Sequence, residues 1–426
     1  MHHFDYVNRT LACEGVALET IARDIGTPVY VYSAATIRRH FQVFAKAVGH
    51  PHNRVFFAMK SNGNLGVLAT LICEGAGVDV VSEGEIRKAF AAGAKPSDIV
   101  FSGVGKTAEE LTFAVSMGIY QINVETEGEL ELLSKVAHGL GKVQAIALRI
   151  NPDVGAGGHA KITTGSLANK FGVSFSEGER LYAKAANLPG VKPMGVAAHI
   201  GSQIFDYAAL RAAFVKLRHL VETIRMSGLT VERLDLGGGV GIPYDITYPY
   251  TEGDSRIDAY AAMVREVTDG LNVELGFEPG RLIVGNAGVL LTSALYLNQR
   301  PEKQFLVVDA AMNDLIRPAM YESHHEIWPL KQPAADAPMV AYDVVGPICE
   351  SSDQFTTGRP MPETASGDVL AIMTAGAYGA SMSSTYNQRR LVPEVLVEGE
   401  RYAVTRPRQS YEELLGTDRM PDWLQR

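Results

Sequence analysis

Two segments place chemically useful residues directly after apolar runs. Lys60 closes the run at 55–60 (VFFAMK), and a lysine amine withdrawn from water loses its proton readily and can form a Schiff base. His199 begins HIGSQ at 199–203, where a Gly-Ser pair offers a hydroxyl and close backbone approach to an anion. Each residue also has a plainer interpretation, because a lysine that ends a strand often snorkels to solvent and a lone histidine is often a core residue.

Glycines follow two later runs. In DLGGGVGIP (235–243) three successive glycines let backbone N–H groups turn towards an anion, although a simple tight loop explains them too. A dinucleotide fingerprint is excluded, since GGGVG is not GxGxxG and lies late in the chain. FEPGR (277–281) adds another glycine, with Glu278 and Arg281 spaced as a routine surface pair would be. A lysine and several phosphate-type loops together suit a phosphorylated aldehyde, pyridoxal 5'-phosphate.

The elements that must position these residues alternate between strand-like runs and amphipathic stretches. In 207–226, for example, apolar residues recur at steps of three or four, as one helix face requires. Eight strand-like runs span roughly 230 residues, which matches a (β/α)8 TIM barrel. The runs are 55–60, 78–82, 98–103, 120–124, 145–151, 194–200, 233–238 and 282–284. An open, doubly wound sheet is the alternative.

In such a barrel, active sites lie at the carboxyl ends of the strands, and phosphate sites often follow strands seven and eight. The two glycine segments occupy those two places on our count. Lys60 would lie on the same rim, after the first strand.

Beyond residue 285 the pattern becomes all-β, with strand-like segments separated by Pro and Gly. The segments are 289–297, 304–309, 341–345, 368–373 and 393–398. Thr27–Ser33 is also strand-like and would join them from the other end of the chain. We therefore predict a barrel over 36–285, and a β-sandwich or barrel-like domain from 1–35 and 286–426.

Composition narrows the class of protein without naming a function. The chain has 426 residues, 46% hydrophobic and 20% charged, with a formal net charge of −9. These values indicate a globular protein of two or three domains and disfavour nucleic acid as a partner. Three cysteines give neither a disulfide framework nor metal-ligand spacing, which favours a reducing cytoplasm. No secretory signal and no membrane-spanning apolar run is evident.

Taken together, seven motifs resemble those of the fold-type III pyridoxal-phosphate-dependent decarboxylases, in the family's order and across essentially the whole chain. They are FAMKSN, HIGSQ, DLGGGVGIP, FEPGR, DLIRP (314–318), CESSD (349–353) and GAYG (376–379). Within that family, HAKITTG…NKFG at 159–172 is similar to the diaminopimelate decarboxylases rather than the ornithine decarboxylases. Ser352 is a small departure, standing where the family usually has glycine. The implied fold is alanine racemase-like.

The resemblance assigns the cofactor site to the barrel. It implies that Lys60 holds the cofactor, that His199 stacks on its ring, and that Glu278 faces the pyridine nitrogen. A carboxylate there keeps the nitrogen protonated and the ring a strong electron sink, which favours decarboxylation; alanine racemases place an arginine instead. The remaining implied cofactor contacts are Asp79, Ser202, Gly239, Gly280, Arg281 and Tyr378, with Arg149 a further ring-side candidate.

The resemblance also implies a substrate site. Arg317 and Tyr321 would hold a distal carboxylate, for which a guanidinium is suited. Glu350 would meet the distal ammonium, and Arg281 and Tyr378 are further substrate contacts. Cys349 would be the acid that reprotonates the carbanion, although an inert thiol is the alternative. Cys349 and Glu350 are expected to enter from the neighbouring subunit of a homodimer.

The expected reaction is the decarboxylation of meso-2,6-diaminopimelate to L-lysine and carbon dioxide. A decarboxylase of another dibasic or carboxylated amino acid is the first alternative. A catalytically inactive regulatory homologue is the second, and the presence of Lys60, Glu278 and Cys349 counts against it. We expect no metal, and we assign no chemistry to Cys13, Cys73, His324 or His325.

Overall fold

The computed structural model describes residues 2–155, 169–245 and 256–424. The chain forms two compact units. The barrel unit comprises 37–243 and 249–283, and the sheet unit comprises 1–36, 244–248 and 284–426. Among the described residues, no helix combines the length and apolar character needed to cross a bilayer.

The N-terminal part of the chain begins with a small antiparallel sheet and ends with a long helix. Its elements are β1 (Phe4–Val7), β2 (Thr10–Cys13), β3 (Val16–Ala17), α1 (Leu18–Ile25), β4 (Val29–Ser33) and α2 (Ala34–Val48). All five residues of β4 are buried, so this strand is covered on both faces.

Eight parallel strands close the barrel, as the sequence predicts. They are β5 (Arg54–Ala58), β6 (Gly77–Val80), β7 (Ile99–Phe101), β8 (Gln121–Val124), β9 (Gln144–Asn151), β11 (Val191–Ala197), β12 (Arg233–Asp235) and β13 (Glu274–Phe277). Closure comes from β13 pairing with β5, with Phe277 opposite Val55. A short strand, β10 (Val173–Ser174), pairs with the end of β9.

Helices follow the strands in alternation. They are α3 (Leu65–Cys73), α4 (Glu83–Ala91), α5 (Ala108–Met117), α6 (Glu127–Gly139), α7 (Gly178–Asn187), α8 (Tyr207–Met226), α9 (Arg256–Thr268) and α10 (Arg281–Val284). Side-chain caps define several starts: Ser82, Thr107 and Thr126 each accept an N–H three residues on. The helix predicted at 207–226 is confirmed, with its apolar face buried.

The predicted eighth strand, 282–284, is wrong. Those residues form the helical turn α10, and the strand lies earlier, at Glu274–Phe277. The apolar triplet after the EPG turn looked like a buried strand because three residues are too few to show a period. Two other boundaries shift slightly. Lys60 lies in the 3-10 turn Met59–Ser61 that follows β5, and His199 lies two residues beyond β11.

The sheet unit contains the remaining strands and two short helices. They are β14 (Gly288–Gln299), β15 (Gln304–Val308), α11 (Arg317–Tyr321), β16 (Ile327–Pro329), β17 (Met339–Val345), β18 (Gln354–Pro362), β19 (Val369–Ile372), β20 (Glu394–Glu398), β21 (Arg401–Arg406) and α12 (Tyr411–Leu415). The N-terminal strand β4 lies between β14 and β20, antiparallel to the first and parallel to the second. The expectation that the N-terminus contributes a strand to the C-terminal sheet is therefore confirmed.

Gly195 in β11 tests how tightly the barrel strands pack. A Cβ at this position would lie 2.2 Å from the carbonyl oxygen of Arg233 in β12. We expect Gly195→Ala to lower the free energy of unfolding by about 1–3 kcal/mol, because neighbouring backbones must separate. Thermal unfolding followed by circular dichroism measures the change.

Gly128 is the matched control. It is an exposed residue of α6, and a Cβ there meets nothing within 4 Å. Gly128→Ala should raise stability by roughly 0.5–1 kcal/mol through helix propensity. Equal effects of the two substitutions would contradict the packing argument.

Candidate active site

An ion pair with a partly exposed lysine and a buried aspartate lies at the carboxyl end of the first two barrel strands. The Lys60 Nζ is 2.9 Å from Asp79 Oδ2, with the lysine side chain 37% exposed and the aspartate fully buried. The other oxygen, Asp79 Oδ1, is buried and accepts no hydrogen bond from the described residues. Asp79 thus orients the amine and keeps one acceptor available for a further donor.

The hydrogen bonds of His199 fix its protonation. Its Nδ1 lies 3.2 Å from the backbone nitrogen of Gly238. Because an amide N–H only donates, Nδ1 is unprotonated and the ring is neutral. Burial among the barrel atoms, followed by the charges of Lys60 and Arg149, holds the pKa of His199 well below its usual range. A neutral, partly exposed ring suits stacking on a flat ligand better than pairing with an anion.

The glycines of DLGGGVGIP are required by close backbone approach. A Cβ on Gly238 would lie 2.2 Å from the Glu278 carbonyl oxygen. At Gly239, φ is +104°, and a Cβ would lie 2.4 Å from the Gly201 carbonyl oxygen. The Ile204 N–H donates to the Gly239 carbonyl at 2.9 Å, which joins this loop to the HIGSQ loop. Only glycine fits these positions, so the tight loop has a specific geometric cause.

Arg281 and Ser202 meet beside these loops. The Nε and Nη2 atoms of buried Arg281 lie 3.4 and 3.3 Å from Ser202 Oγ. Gly280 brings the same segment against the lysine turn, since a Cβ there would lie 3.0 Å from Ser61 Oγ. A guanidinium, a hydroxyl and glycine backbone are the donors that a phosphate prefers. The residues therefore fit a phosphorylated cofactor.

Glu278 is a buried carboxylate held by neutral donors. Its Oε1 accepts from Asn123 Nδ2 at 3.3 Å and lies 3.5 Å from Ser102 Oγ. Burial, then the nearby carboxylates of Asp235 and Asp79, raises the pKa of Glu278 well above its usual range. A cation or a protonated ring nitrogen beside it would restore its charge. The two donors, Asn123 and Ser102, were missed by the sequence analysis, which found no motif around them.

Arg149 is held in position by an ion pair with Glu125, another residue that the sequence analysis missed. The Arg149 Nη1 donates to Glu125 Oε1 at 2.7 Å, and the guanidinium lies 4.9 Å from the Phe171 ring centroid. Both oxygens of Glu125 also accept backbone N–H groups, from Gly103 at 3.0 Å and Gly172 at 3.1 Å. Gly172 ends the NKFG part of the 159–172 signature, whereas HAKITTG lies outside the described residues.

In the sheet unit, Arg317 and Tyr321 lie one turn apart on α11. Arg317 is buried, donates from Nη1 to His325 Nε2 at 2.7 Å, and stands 4.2 Å from the Tyr244 ring centroid. His325 Nδ1 contacts the Met373 carbonyl oxygen at 2.9 Å, so Nδ1 carries the proton and Nε2 is free to accept. His325, to which the sequence analysis assigned no chemistry, therefore orients the guanidinium.

Asp353 anchors the loop that carries Cys349 and Glu350. Its carboxylate accepts the backbone N–H groups of Met312 and Ile348, both at 2.6 Å. Cys349 and Glu350 are exposed on the single chain. The loop is thus held at its base and presents both side chains outward.

The Glu350 carboxylate is itself clamped by two hydroxyls. It accepts from Ser352 Oγ at 2.5 Å and from Tyr386 Oη at 2.9 Å. Those two hydrogen bonds lower the pKa of Glu350. Ser352, the departure from the family pattern, therefore contacts the residue assigned to the substrate ammonium.

The GAYG loop after β19 is strained. Tyr378 has φ +56°, a left-handed conformation that costs a non-glycine residue roughly 1 kcal/mol. The loop is also pressed tightly against its own unit, since a Cβ on Gly376 would lie 2.0 Å from the Val284 carbonyl oxygen. Across the described residues, no group of His, Cys, Asp and Glu is arranged to hold a metal ion.

Comparisons with known proteins agree with this geometry. Residues 34–285 match the pyridoxal-dependent decarboxylases over their pyridoxal binding domain. The chain is 44% identical to diaminopimelate decarboxylase of Zymomonas mobilis, over 99% of both chains. It is 45% identical to that of Pseudomonas aeruginosa, over 97% of this chain and 98% of the relative.

Solved structures show the same architecture throughout. Diaminopimelate decarboxylase of Helicobacter pylori, complexed with L-lysine, has a TM-score of 0.88 at 36% identity, covering 94% of this chain and 98% of that one. The enzyme of M. jannaschii, also with L-lysine, has a TM-score of 0.92 at 33% identity over the full length of both chains.

An alternating barrel with a lysine, a histidine and a carboxylate on one rim, joined in sequence to a second β unit, defines a fold-type III pyridoxal-dependent decarboxylase. More narrowly, the chain belongs to the diaminopimelate decarboxylase family.

Asp353 offers a test of the loop that carries Cys349. We expect Asp353→Ala to leave two backbone N–H groups without an acceptor and to loosen residues 346–353, because buried unsatisfied donors cost about 1–3 kcal/mol each. Hydrogen exchange of the loop amides should accelerate roughly tenfold or more. Asp336→Ala, at an exposed aspartate of the same unit, is the control. Unchanged loop exchange in Asp353→Ala would show that the carboxylate does not hold the loop.

Proposed function

We propose that the chain catalyses the decarboxylation of meso-2,6-diaminopimelate to L-lysine and carbon dioxide with pyridoxal 5'-phosphate as cofactor. The observation that carries this proposal is Glu278, a buried carboxylate on the same barrel rim as the Lys60–Asp79 pair and neutral His199. The names and bound lysine of the relatives support the choice of substrate.

The barrel residues would bind and orient the cofactor. Lys60 would hold it, with Asp79 keeping the amine in place, and His199 would stack on its ring. Ser202, Gly239, Gly280 and Arg281 would bind its phosphate. When bound, the cofactor supplies an electron-accepting ring, and Glu278 would keep a proton on the ring nitrogen.

Arg317 would provide the main selectivity for a substrate with a second carboxylate. The guanidinium is buried and already oriented by His325, so little side-chain entropy is lost when it pairs with a carboxylate. Tyr321 on the same helix would add a hydroxyl, with Arg281 and Tyr378 as further contacts. A substrate with only an ammonium at its far end would leave the guanidinium without an anion.

Cys349 and Glu350 would complete the site from the neighbouring subunit of a homodimer. Their exposure on a loop that is anchored at its base supports this arrangement. Glu350, ionised by the hydroxyls of Ser352 and Tyr386, would bind the distal ammonium, and the Cys349 thiol would deliver a proton to the substrate carbon. The proposal further includes a cytoplasmic location, and neither nucleic acid nor a membrane as partner.

The reaction is tested by carbon dioxide release from meso-diaminopimelate by purified protein with added cofactor. Ornithine, arginine and lysine serve as competing substrates. Turnover of one of these instead would overturn the substrate assignment and favour the related decarboxylases. A Lys60→Ala variant should lose the borohydride-sensitive absorbance that the wild type shows with cofactor, and a protein without that absorbance would be a non-catalytic homologue.

Arg317→Lys tests the distal carboxylate contact. Lysine keeps the charge but loses the bidentate geometry, so we expect KM for meso-diaminopimelate to rise about tenfold to a hundredfold. Cofactor absorbance should not change. As a control, Arg23→Lys alters an exposed arginine whose partner is the neighbouring Asp24 and should leave KM as it is. An unchanged KM in Arg317→Lys would remove Arg317 from the substrate site.

Cys349→Ala separates chemistry from structure. The variant should bind cofactor normally and lose about 100-fold or more in kcat, because a positioned general acid contributes about that factor. Cys73→Ala, at the other exposed cysteine, is the matched control and should retain full turnover. Loss of cofactor from Cys349→Ala would instead assign the thiol a structural role.

A further inference from the structure

Lys106 is a buried cation on the barrel rim to which the proposed function gives no role. It lies between β7 and α5, and its side chain is 1% exposed. Its Nζ donates to the carbonyl oxygens of Gly103 and Asn123, both at 2.7 Å, and to Glu129 Oε1 at 2.8 Å. An ammonium group has three N–H donors, so each of them has an acceptor here.

One of these contacts leads to Glu278 through Asn123. The pairing of β7 with β8 ends at Phe101 opposite Ile122, so Asn123 is the first β8 residue beyond it. Lys106 supplies a hydrogen bond to the Asn123 carbonyl oxygen at this point. The side chain of Asn123 donates from Nδ2 to Glu278 Oε1 at 3.3 Å. The ammonium therefore holds the backbone of the residue whose amide contacts Glu278.

A second contact leads to Arg149 through two glutamates. Glu129, in the first turn of α6, accepts the Lys106 ammonium with Oε1 and the Glu125 backbone N–H with Oε2, the latter at 2.9 Å. Glu125 in turn pairs with Arg149 at 2.7 Å. Gly103 adds a further link, because its carbonyl accepts from Lys106 and its N–H donates to Glu125 Oε1 at 3.0 Å.

The charges of this cluster balance in pairs. Lys106 offsets Glu129, and Arg149 offsets Glu125. Burial raises the pKa of Glu129, and the charge of Lys106 opposes that rise. Without the ammonium, Glu129 would be a buried carboxylate with no cation beside it and would take up a proton. Its hydrogen bond to the Glu125 backbone would then be weaker, because a neutral acceptor is poorer than a charged one.

We propose that Lys106 is a positioning residue for two groups of the cofactor site, the Glu278 carboxylate and the Arg149 guanidinium. It acts on the first through Asn123 and on the second through the two glutamates. The inference rests on the proposed role of Glu278 beside the cofactor. Buried ion pairs seldom add net stability over apolar side chains, so control of geometry is the better account of this one.

The cofactor affinity of Lys106→Met tests the proposal without relying on turnover. Methionine fills the space of the lysine stem and donates no hydrogen bond. Titration of cofactor-free protein with pyridoxal 5'-phosphate, followed by absorbance, should give a Kd about tenfold or more above that of the wild type, because Glu278 and Arg149 lose their support. In the loaded enzyme kcat should fall about tenfold to a hundredfold with little change in KM, since misplaced groups slow the chemistry.

Gln144, at the start of β9, offers a matched control. It is buried, and its Nε2 donates to the carbonyl oxygens of Ile119 and Ala145 at 3.1 and 3.0 Å. Gln144→Leu therefore also removes a buried donor from two backbone carbonyls, but at the amino ends of the strands. It should lower the unfolding temperature while Kd and kcat stay at wild-type values. A loss of affinity in both variants that follows their loss of stability would make Lys106 purely structural and overturn the proposal.

A double-mutant cycle tests the route through Asn123. Asn123→Leu removes the amide that donates to Glu278. If Lys106 acts through that amide, the loss of cofactor affinity in Lys106→Met/Asn123→Leu should be smaller than the product of the two single losses. Fully multiplicative losses would overturn the proposal.

If Lys106→Met fails to fold, Lys106→Met/Glu129→Leu is measured instead. That variant removes the cation together with its partner and leaves no unpaired charge between them. A wild-type cofactor affinity in this variant would equally overturn the proposal. A wild type that binds the cofactor but releases no carbon dioxide from meso-diaminopimelate would refute the proposed function, and the affinity comparison would still decide the role of Lys106.

Discussion

Closure of a parallel barrel forces the carboxyl ends of all eight strands onto one rim, and the chemistry of this protein depends on that constraint. Side chains far apart in sequence become neighbours there without any local signal. The rim collects ionisable groups of both signs in a partly dry environment, where each charge needs a partner. Lys60 with Asp79, and Arg149 with Glu125, satisfy that requirement in pairs. Glu278 belongs to neither pair, and a bound cofactor would supply the positive charge that it needs.

Periodicity and turn chemistry predicted most of the fold correctly. The strands of the barrel and the helix at 207–226 carry repeating apolar patterns long enough to be recognised. The last strand, Glu274–Phe277, is short and contains a glycine, so the apolar triplet after it was chosen wrongly. Strands β18 and β21 were not predicted, because they contain polar residues, which are also typical of loops. In the structure these residues occupy partly exposed positions of a strand.

The residues named from motifs lie near the ends of barrel strands, or on helix α11 and two loops of the sheet unit. Several residues that hold them in place were not predicted. Asn123, Glu125 and His325 act through contacts across the fold, with spacings that no local pattern encodes. His325 shows the physical reason most clearly. Its Nδ1–H donates to the Met373 carbonyl oxygen, and this fixes the tautomer whose Nε2 accepts the hydrogen bond from Arg317. Contacts that hold a site residue in place depend on how side chains pack, and that packing can be described only from the folded structure.

The position of β4 has a consequence for synthesis of the chain. This strand emerges early, yet its partners are β14, which follows the barrel, and β20, near the C-terminus. At ordinary elongation rates the strand waits roughly 10–50 s for the first of them. During that time the barrel segment is complete enough to fold, while β4, apolar on both faces, has no sheet to join. The nascent chain therefore carries an apolar, aggregation-prone strand without its partners through most of translation. The yield of folded protein should depend on how well the cell's chaperones cover that segment.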